Sequence, residues 1–210
     1  MGLKVRKKKG SSIPPVEGGT YPAVCVGIVD LGEQHSEMFK NYQDKVLIIW
    51  ELPGLTVEVD GEDKPRWLSK DFSASLNEKS NLHKFLVPWR GKPFTEEELS
   101  DEEGGFDLTE MLGKGCFLNV SIETKEDGTP FNKINAVMAF PMGMAAPTSQ
   151  SELIKFDMDA WDDTVLEKLP EWVQDRIKKS TQYQKLHTPQ DEVGFKDEKE
   201  APKPKGECPI

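Results

Sequence analysis

The residue types that carry out catalysis are present in this sequence, but their spacing matches no catalytic arrangement. There is no glycine-rich phosphate loop and no Gly-x-Ser-x-Gly nucleophile turn. Neither the cysteines nor the histidines have the short spacing that metal ligands share along a chain. These residues are Cys25, Cys116, Cys208, His35, His83 and His187. We therefore expect no enzymatic activity, no bound metal and no cofactor.

A second kind of chemistry is better represented, namely the binding of single-stranded nucleic acid. Proteins hold single strands with aromatic side chains that stack on the bases and with lysines and arginines that contact the phosphates. Both types recur in the predicted strands and the loops beside them. The candidates are Tyr42, Lys45, Trp50, Arg66, Trp67, Lys70, Phe72, Phe131 and Lys133. The aromatic candidates could instead pack in the core, and the lysines could instead keep strand edges solvated.

The net charge of −10 argues, taken alone, against a protein that binds nucleic acid, because phosphates attract cations. The acidic residues, however, are concentrated in two runs, at residues 96–103 and 157–163. The segment from residue 40 to residue 92 is rich in lysine and arginine, and its Lys79 and Arg90 are further candidate phosphate contacts. Because the distribution of charge matters more than its sum, a cationic face on an acidic protein is compatible with this composition.

The hydrophobic pattern predicts a mainly β protein with five strands. They are predicted at residues 21–31, 45–52, 66–72, 115–124 and 131–140. Gly27 in the middle of the first strand indicates a bulge. The Asp60-Gly61 pair indicates a hairpin, and residues 62–65 predict a longer loop than a two-residue turn. Whether residues 56–59 form a full strand is left open.

One helix is predicted between the third and the fourth strand. Ser80 is expected to cap it, and Pro88 is expected to end its regular part at about Val87. Its apolar stripe consists of Leu82, Phe85, Leu86 and Trp89, which we assign to the core. Five strands with a helix in this position are the arrangement of an OB-fold barrel, which we predict here. Residues 163–178 add short C-terminal helices, interrupted at Pro170.

The composition divides the chain into four segments. We predict a flexible basic arm at residues 1–19, the OB-fold domain at 20–142, a linker and helical segment at 143–186, and a disordered acidic tail at 187–210. The arm is either a solvated extension or a contact for phosphates, and the packing of the helical segment is left open. No apolar run approaches the roughly 20 residues of a membrane span. We find no secretory signal either, so we expect no membrane contact and a cytoplasmic location.

A series of short runs extends over roughly residues 13 to 142. The runs lie at residues 19–23, 29–34, 50–52, 69–75, 79–82, 89–94 and 106–116. In series they resemble a family of bacteriophage single-stranded DNA-binding proteins, whose members are often labelled phage replication proteins. The resemblance implies an OB fold, sequence-tolerant binding of single-stranded DNA, and a role in phage DNA replication or recombination in the host cytoplasm.

The C-terminal residues permit a second comparison. Single-stranded DNA-binding proteins of bacteria end in acidic residues followed by Ile-Pro-Phe, which dock on partner enzymes, whereas this chain ends in Glu207-Cys208-Pro209-Ile210. The tail could recruit replication or recombination proteins, cover a cationic face in competition with DNA, or be inert. The alternative function is accordingly a protein-interaction adaptor that recruits a replication or recombination enzyme. Self-association is left open.

Overall fold

Six strands of the computed structural model form one sheet. The structure describes residues 13–36, 40–59, 61–100, 105–141 and 143–187. The arm before residue 13 and the tail after residue 187 lie outside the described residues. The strands are β1 Gly19–Ser36, β2 Asn41–Val59, β3 Glu62–Ser73, β4 Gly115–Thr124, β5 Pro130–Ala139 and a short β6 Ile154–Phe156. The helices are α1 Asn81–Arg90, α2 Glu96–Leu99, a 3-10 helix at Leu108–Met111, α3 Asp163–Lys168, α4 Glu171–Lys178 and α5 Thr181–His187.

The strand order is β3-β2-β1-β4-β5, with antiparallel neighbours, and β6 pairs in parallel with β1. The mainly β class is therefore as predicted, and α1 lies between β3 and β4 as expected. The sheet is open, since β3 and β5 share no backbone ladder within the described ranges. Side chains bridge these two end strands: Lys70 Nζ donates to the Ile134 carbonyl at 2.7 Å. We call the gap between β3 and β5 the seam.

Two local predictions concern the shapes of β1 and β2. The register of β1 shifts between Cys25 and Gly27, which confirms the bulge expected at Gly27. The prediction of a longer loop after Asp60-Gly61 is wrong, because β3 already begins at Glu62, which pairs with Val59 of β2. Residues 62–65 instead continue β3, so the β2–β3 hairpin projects beyond the body of the sheet.

Two separate cores cover opposite faces of the sheet. Successive strand residues point to opposite sides, so Ile48 and Trp50 enter a first core under α1, while Leu47 and Ile49 enter a second. The second core is closed by β6 and the three C-terminal helices, which we call the C-terminal layer. Residues 153–186 thus pack on the sheet, a point that the sequence left open. The central strands are consequently buried on both faces.

Helix α1 begins where predicted but ends later. The Ser80 hydroxyl accepts from the His83 amide at 3.1 Å, which confirms the predicted N-cap. The expected end at Val87 is wrong, because the helix continues through Pro88 to Arg90 and is capped by Gly91 in a left-handed conformation. Pro88 has no backbone N–H, so the helix lacks one hydrogen bond there. Pro88 lies on the exposed side of the helix, and the additional residues bury Trp89 against the first core.

A buried carboxylate joins the C-terminal layer to the sheet. Glu51 is 0% exposed, and its two oxygens accept hydrogen bonds from the backbone amides of Gln150 (2.7 Å) and Ser151 (3.0 Å). The Trp67 indole donates to the Ser151 hydroxyl at 3.0 Å. We call the Glu51 contacts the clasp. A buried carboxylate requires such donors, since an unpaired one is costly.

Gly32 provides a test of how the C-terminal layer docks. Its φ is +66°, and an added Cβ would lie 2.8 Å from the Ser180 Cβ. We expect Gly32→Ala to lower the free energy of unfolding by about 1–3 kcal/mol, measured by urea denaturation. Gly54→Ala is the matched control, because Gly54 has a φ of +82° but no atom within 4 Å of the added Cβ. Equal losses in both variants would contradict a packing constraint at Gly32.

Candidate nucleic-acid interface

Two of the predicted base platforms lie inside the first core. Trp50 is 0% exposed and Phe72 is 2% exposed, and both pack against Phe85 of α1. A base can stack only on a ring with an open face. The predictions for Trp50 and Phe72 are therefore wrong in this fold, because α1 covers the side of the sheet to which these strand positions point.

Trp67 lies on the other face of β3, beneath the C-terminal layer. It is half-buried against the second core, and its indole is already bonded to Ser151. Lys45 is half-buried and donates to the Ser73 hydroxyl at 2.9 Å. Tyr42, by contrast, is 57% exposed and packs edge-on against His35, near the end of the β1–β2 hairpin. The face of β2 and β3 on which the sequence placed the ligand is thus largely covered.

Arg90 holds its own segment together. Its guanidinium pairs with Glu98 and lies over the rings of Phe94 (4.1 Å) and Phe106 (4.5 Å). With a side chain only 4% exposed, Arg90 is a structural cation, and its prediction as a phosphate contact is wrong. Lys79 is exposed, but it lines a cleft where acidic side chains predominate.

The seam brings together four other predicted residues, from β3 and β5. Arg66 is buried and lies 3.4 Å from the Asn132 side-chain oxygen. Lys70 reaches β5 through its bond to the Ile134 carbonyl, while Lys133 is exposed and paired with Glu123 at 2.7 Å. Phe131 is half-buried and lies two residues from Lys133 along β5, on the same face of the strand. Residues far apart in sequence thus come together where β3 and β5 approach each other.

A cavity of about 270 Å³ opens at the seam between α1 and β5. Lys70 and Lys84 line it, and no acidic side chain of the described residues does. Its other lining residues are Asn81, Phe85, Pro88, Asn135, Ala136 and Val137. Burial lowers the pKa of Lys70, and the nearby charge of Lys133 lowers it further, against the opposing effect of Asp71. An anion in this cavity would offset that unfavourable charge environment, since opposite charge favours the ionised lysine.

The cavity continues onto the outer face of β4 and β5. Asn135 donates to the Asn119 side-chain oxygen and to the Ser121 hydroxyl, both at 3.1 Å. Beyond this network, Lys125 lies 5.9 Å from the Phe131 ring. In the other direction Phe117 stacks on Phe140, with ring centroids 4.3 Å apart. The face therefore offers amides, cations and aromatic edges, which are the groups that bind nucleotides.

Several of these residues were missed as site candidates in the sequence. Asn119 and Ser121 alternate with the buried Leu118 and Val120 of β4, so a signal for an outward polar face was present. The signal for Lys84 was weaker, because a lysine at an exposed helix position is most often only solvated. Nothing in the local sequence brings Lys84 next to Lys70, because that proximity depends on how α1 crosses the sheet.

The two cysteines among the described residues lie in the first core, outside the lining of the seam cavity. Cys25 and Cys116 are free and buried, and burial raises the pKa of both thiols, that of Cys25 to about 12. Such thiols stay protonated at neutral pH and are poor nucleophiles. Among the described residues no group of three or more His, Cys, Asp or Glu side chains is placed to hold a metal ion.

The chain was also compared with known proteins. Neither the comparison with protein-family models nor that with curated proteins found a match to this sequence. Within the described part of the chain, none of the helices has the length and apolar character needed to cross a membrane. Evidence for a function therefore comes from the geometry of the site.

Proposed function

We propose that this protein binds single-stranded DNA, without catalysis and with little sequence preference, during phage DNA replication or recombination. The observation that supports this proposal most is the cavity at the seam, where Lys70 and Lys84 meet with no described acidic side chain in the lining. On a chain with a net charge of −10, a cavity lined by two lysines and by no described acidic side chain favours an anionic ligand.

The proposal includes an OB-type fold. The strand order β3-β2-β1-β4-β5, with α1 between β3 and β4, is compatible with a five-stranded OB barrel. Closure of such a barrel would bring β3 beside β5, and the bridges from Lys70 to Ile134 and from Arg66 to Asn132 support that approach. In the proposed protein the partly open side of the barrel is the side that receives the ligand.

The groups at the seam account for sequence-tolerant binding. Lys70 and Lys84 would contact phosphates, which are the same in every sequence. Phe131 and the amides of Asn119 and Asn135 would contact bases or sugars on the outer face of β4 and β5. Stacking on an aromatic ring contributes about 1–3 kcal/mol per base and is tolerant of base identity. Duplex DNA would bind less well, because its bases are already stacked and paired.

The first test is the fluorescence anisotropy of a labelled oligo-dT strand titrated with the full chain at low and at moderate salt. We expect saturable binding to the single strand, weaker binding at the higher salt, and little binding of the matched duplex. Absence of binding at low salt would overturn the proposal. Capture of a replication or recombination enzyme by a chain without DNA affinity would instead favour the adaptor function.

The placement of the tryptophans makes a second prediction. None of the five, all within the described residues, lines the seam cavity: they are Trp50, Trp67, Trp89, Trp161 and Trp172. We therefore expect intrinsic tryptophan emission to change little when oligo-dT binds. In Phe131→Trp the new indole would lie on the proposed interface, and its emission should be quenched on binding. Strong quenching in the unmodified protein would place the ligand elsewhere.

A further inference from the structure

A pair of stacked phenylalanine rings lies outside both cores of the protein. The ring centroids of Phe117 and Phe140 are 4.3 Å apart, and the ring planes are inclined by 19°. Both side chains are half-buried, and neither belongs to the first or the second core. In the register of the sheet Phe117 lies between Pro22 of β1 and Met138 of β5, which are both exposed. We call these four residues the Phe117 platform.

The packing of the fold does not explain an apolar group at this position. Residues directly opposite each other on neighbouring strands point to the same side of a sheet. Pro22, Phe117 and Met138 therefore share the outer face, and Met138 is 44% exposed there. Clustered exposed apolar side chains, unlike single ones, are typical of binding surfaces. The Phe117 platform is accordingly a candidate contact for a ligand.

The charge of the outer face favours an anionic ligand over a cationic one. Strands β4 and β5, which the structure describes in full, contain one acidic residue, Glu123, and its carboxylate is paired with Lys133 at 2.7 Å. Asn119, Ser121 and Asn135 occupy the centre of the face and are joined to each other by hydrogen bonds. A polar centre with aromatic ends suits nucleotide bases, which have both stacking faces and polar edges.

The Phe117 platform and Phe131 are the two aromatic ends of this face. Phe131 lies opposite Glu123, which is six residues along β4 from Phe117. At about 3.4 Å per residue this separation is roughly 20 Å. The seam cavity, with its two lysines, opens beside residues 135–137 of β5, between the two ends. The face therefore has an aromatic group at each end and cations beside its middle.

We propose that one single strand crosses the outer face from end to end, with one base on the Phe117 platform, another on Phe131, and phosphates at the two lysines between them. The proposal rests on the proposed binding of single-stranded DNA. A strand stacked as closely as in B-DNA, with one phosphate per about 3.4 Å, places about six nucleotides in this span, and a stretched strand places fewer. That footprint lies within the range of about 4–16 nucleotides per OB fold.

The length of the strand determines whether both ends are used at once. A strand of three nucleotides reaches one end only, so the Phe117 platform and Phe131 are alternative sites for it. A strand of eight nucleotides reaches both ends, and its second contact is then intramolecular, which strengthens binding. Loss of one aromatic ring should therefore cost a long strand much more affinity than a short one.

Competition of unlabelled dT strands against a labelled strand, both with the full chain, tests the proposal. Phe117→Leu keeps an apolar side chain but removes the ring. We expect it to weaken binding of the eight-nucleotide strand about tenfold, and that of the three-nucleotide strand by no more than about twofold, because one of two alternative sites remains. Phe131→Leu should give the same pattern, and Phe117→Tyr should bind as the wild type does. The two leucine substitutions together should weaken the short strand as well.

The matched control is Phe94→Leu, which removes another half-buried ring that packs against aromatic neighbours but lies outside β4 and β5. We expect it to leave both affinities unchanged. Equal weakening of the short and the long strand by Phe117→Leu would indicate lost structure and overturn the proposal, and so would unchanged affinity for the long strand. In both cases binding by the wild-type chain preserves the proposed function, whereas a wild-type chain that binds neither strand overturns both proposals.

Discussion

Replacing Lys70 and Lys84 together by alanine is expected to weaken the binding of oligo-dT by about tenfold to a hundredfold at moderate salt. Both lysines line the seam cavity, and no described acidic residue of its lining competes with a phosphate for them. Their removal leaves the outer face of β4 and β5 intact, so the proposed stacking of bases on Phe131 should persist. The loss of affinity should therefore be large without being complete.

The salt dependence of the same variant gives an independent measurement. Each phosphate contact with a single strand contributes about 0.7 to the slope of log affinity against log salt. Loss of two contacts should reduce the magnitude of that slope by about 1.4. Anisotropy titrations at several salt concentrations determine both slopes. An unchanged slope would mean that Lys70 and Lys84 do not contact phosphates.

The control for this prediction is Lys178→Ala with Lys185→Ala, which removes the same charge from exposed positions of the C-terminal layer. We expect this control to bind nearly as the wild type does. Because Lys70 also bonds to the Ile134 carbonyl, thermal unfolding of each variant should be recorded. Lys84→Ala alone removes an exposed side chain and separates loss of binding from loss of stability.

Replacing Glu51 by alanine is expected to lower the free energy of unfolding by about 2–4 kcal/mol. The substitution leaves the amides of Gln150 and Ser151 without the two buried acceptors that the clasp supplies. For a chain of this length that loss corresponds to a decrease in Tm of roughly 4–16 °C. Urea denaturation measures the loss of free energy of unfolding, and differential scanning calorimetry measures the decrease in Tm.

The matched variant for the clasp is Glu51→Gln, which keeps the shape of the side chain but can accept at only one of its two positions. We expect an intermediate loss of free energy of unfolding, because the glutamine NH₂ group would face a backbone N–H that needs an acceptor. Glu167→Ala, at an exposed position of α3, should change stability by no more than about 0.5 kcal/mol. If Glu51→Ala unfolds like Glu167→Ala, the clasp contributes nothing to the docking of the C-terminal layer.

Much of the fold follows from local sequence patterns. The apolar stripe of α1, its Ser80 cap and the alternation in β4 each depend on neighbouring residues, and each was predictable. The length of the β2–β3 hairpin was not, because Asp60-Gly61 is compatible with a two-residue turn or a longer loop. Whether Pro88 ends a helix depends on what Trp89 packs against, which is a tertiary contact.

The candidate site was less predictable for the same reason. Trp50 and Trp67 look alike in the sequence, as aromatic residues in half-apolar strands, yet α1 covers one and the C-terminal layer covers the other. Alternation shows that a strand has two faces but does not show what packs on each. Arg66, Lys70 and Lys133 come together because β3 and β5 are the two ends of one sheet, and that depends on the strand order.

The parallel pairing of β6 with β1 has a consequence for the synthesis of the chain. Residues 27–29 can pair with residues 154–156 only after the later segment has been synthesised. During translation the first core can therefore form before the second. In that interval the apolar side chains of Val29, Leu47 and Ile49 have no cover, and such surfaces lead to aggregation of folding intermediates. Contacts so distant in sequence also form slowly. A ribosome-bound chain that stops short of β6 is therefore a natural substrate for chaperones that recognise exposed apolar strands.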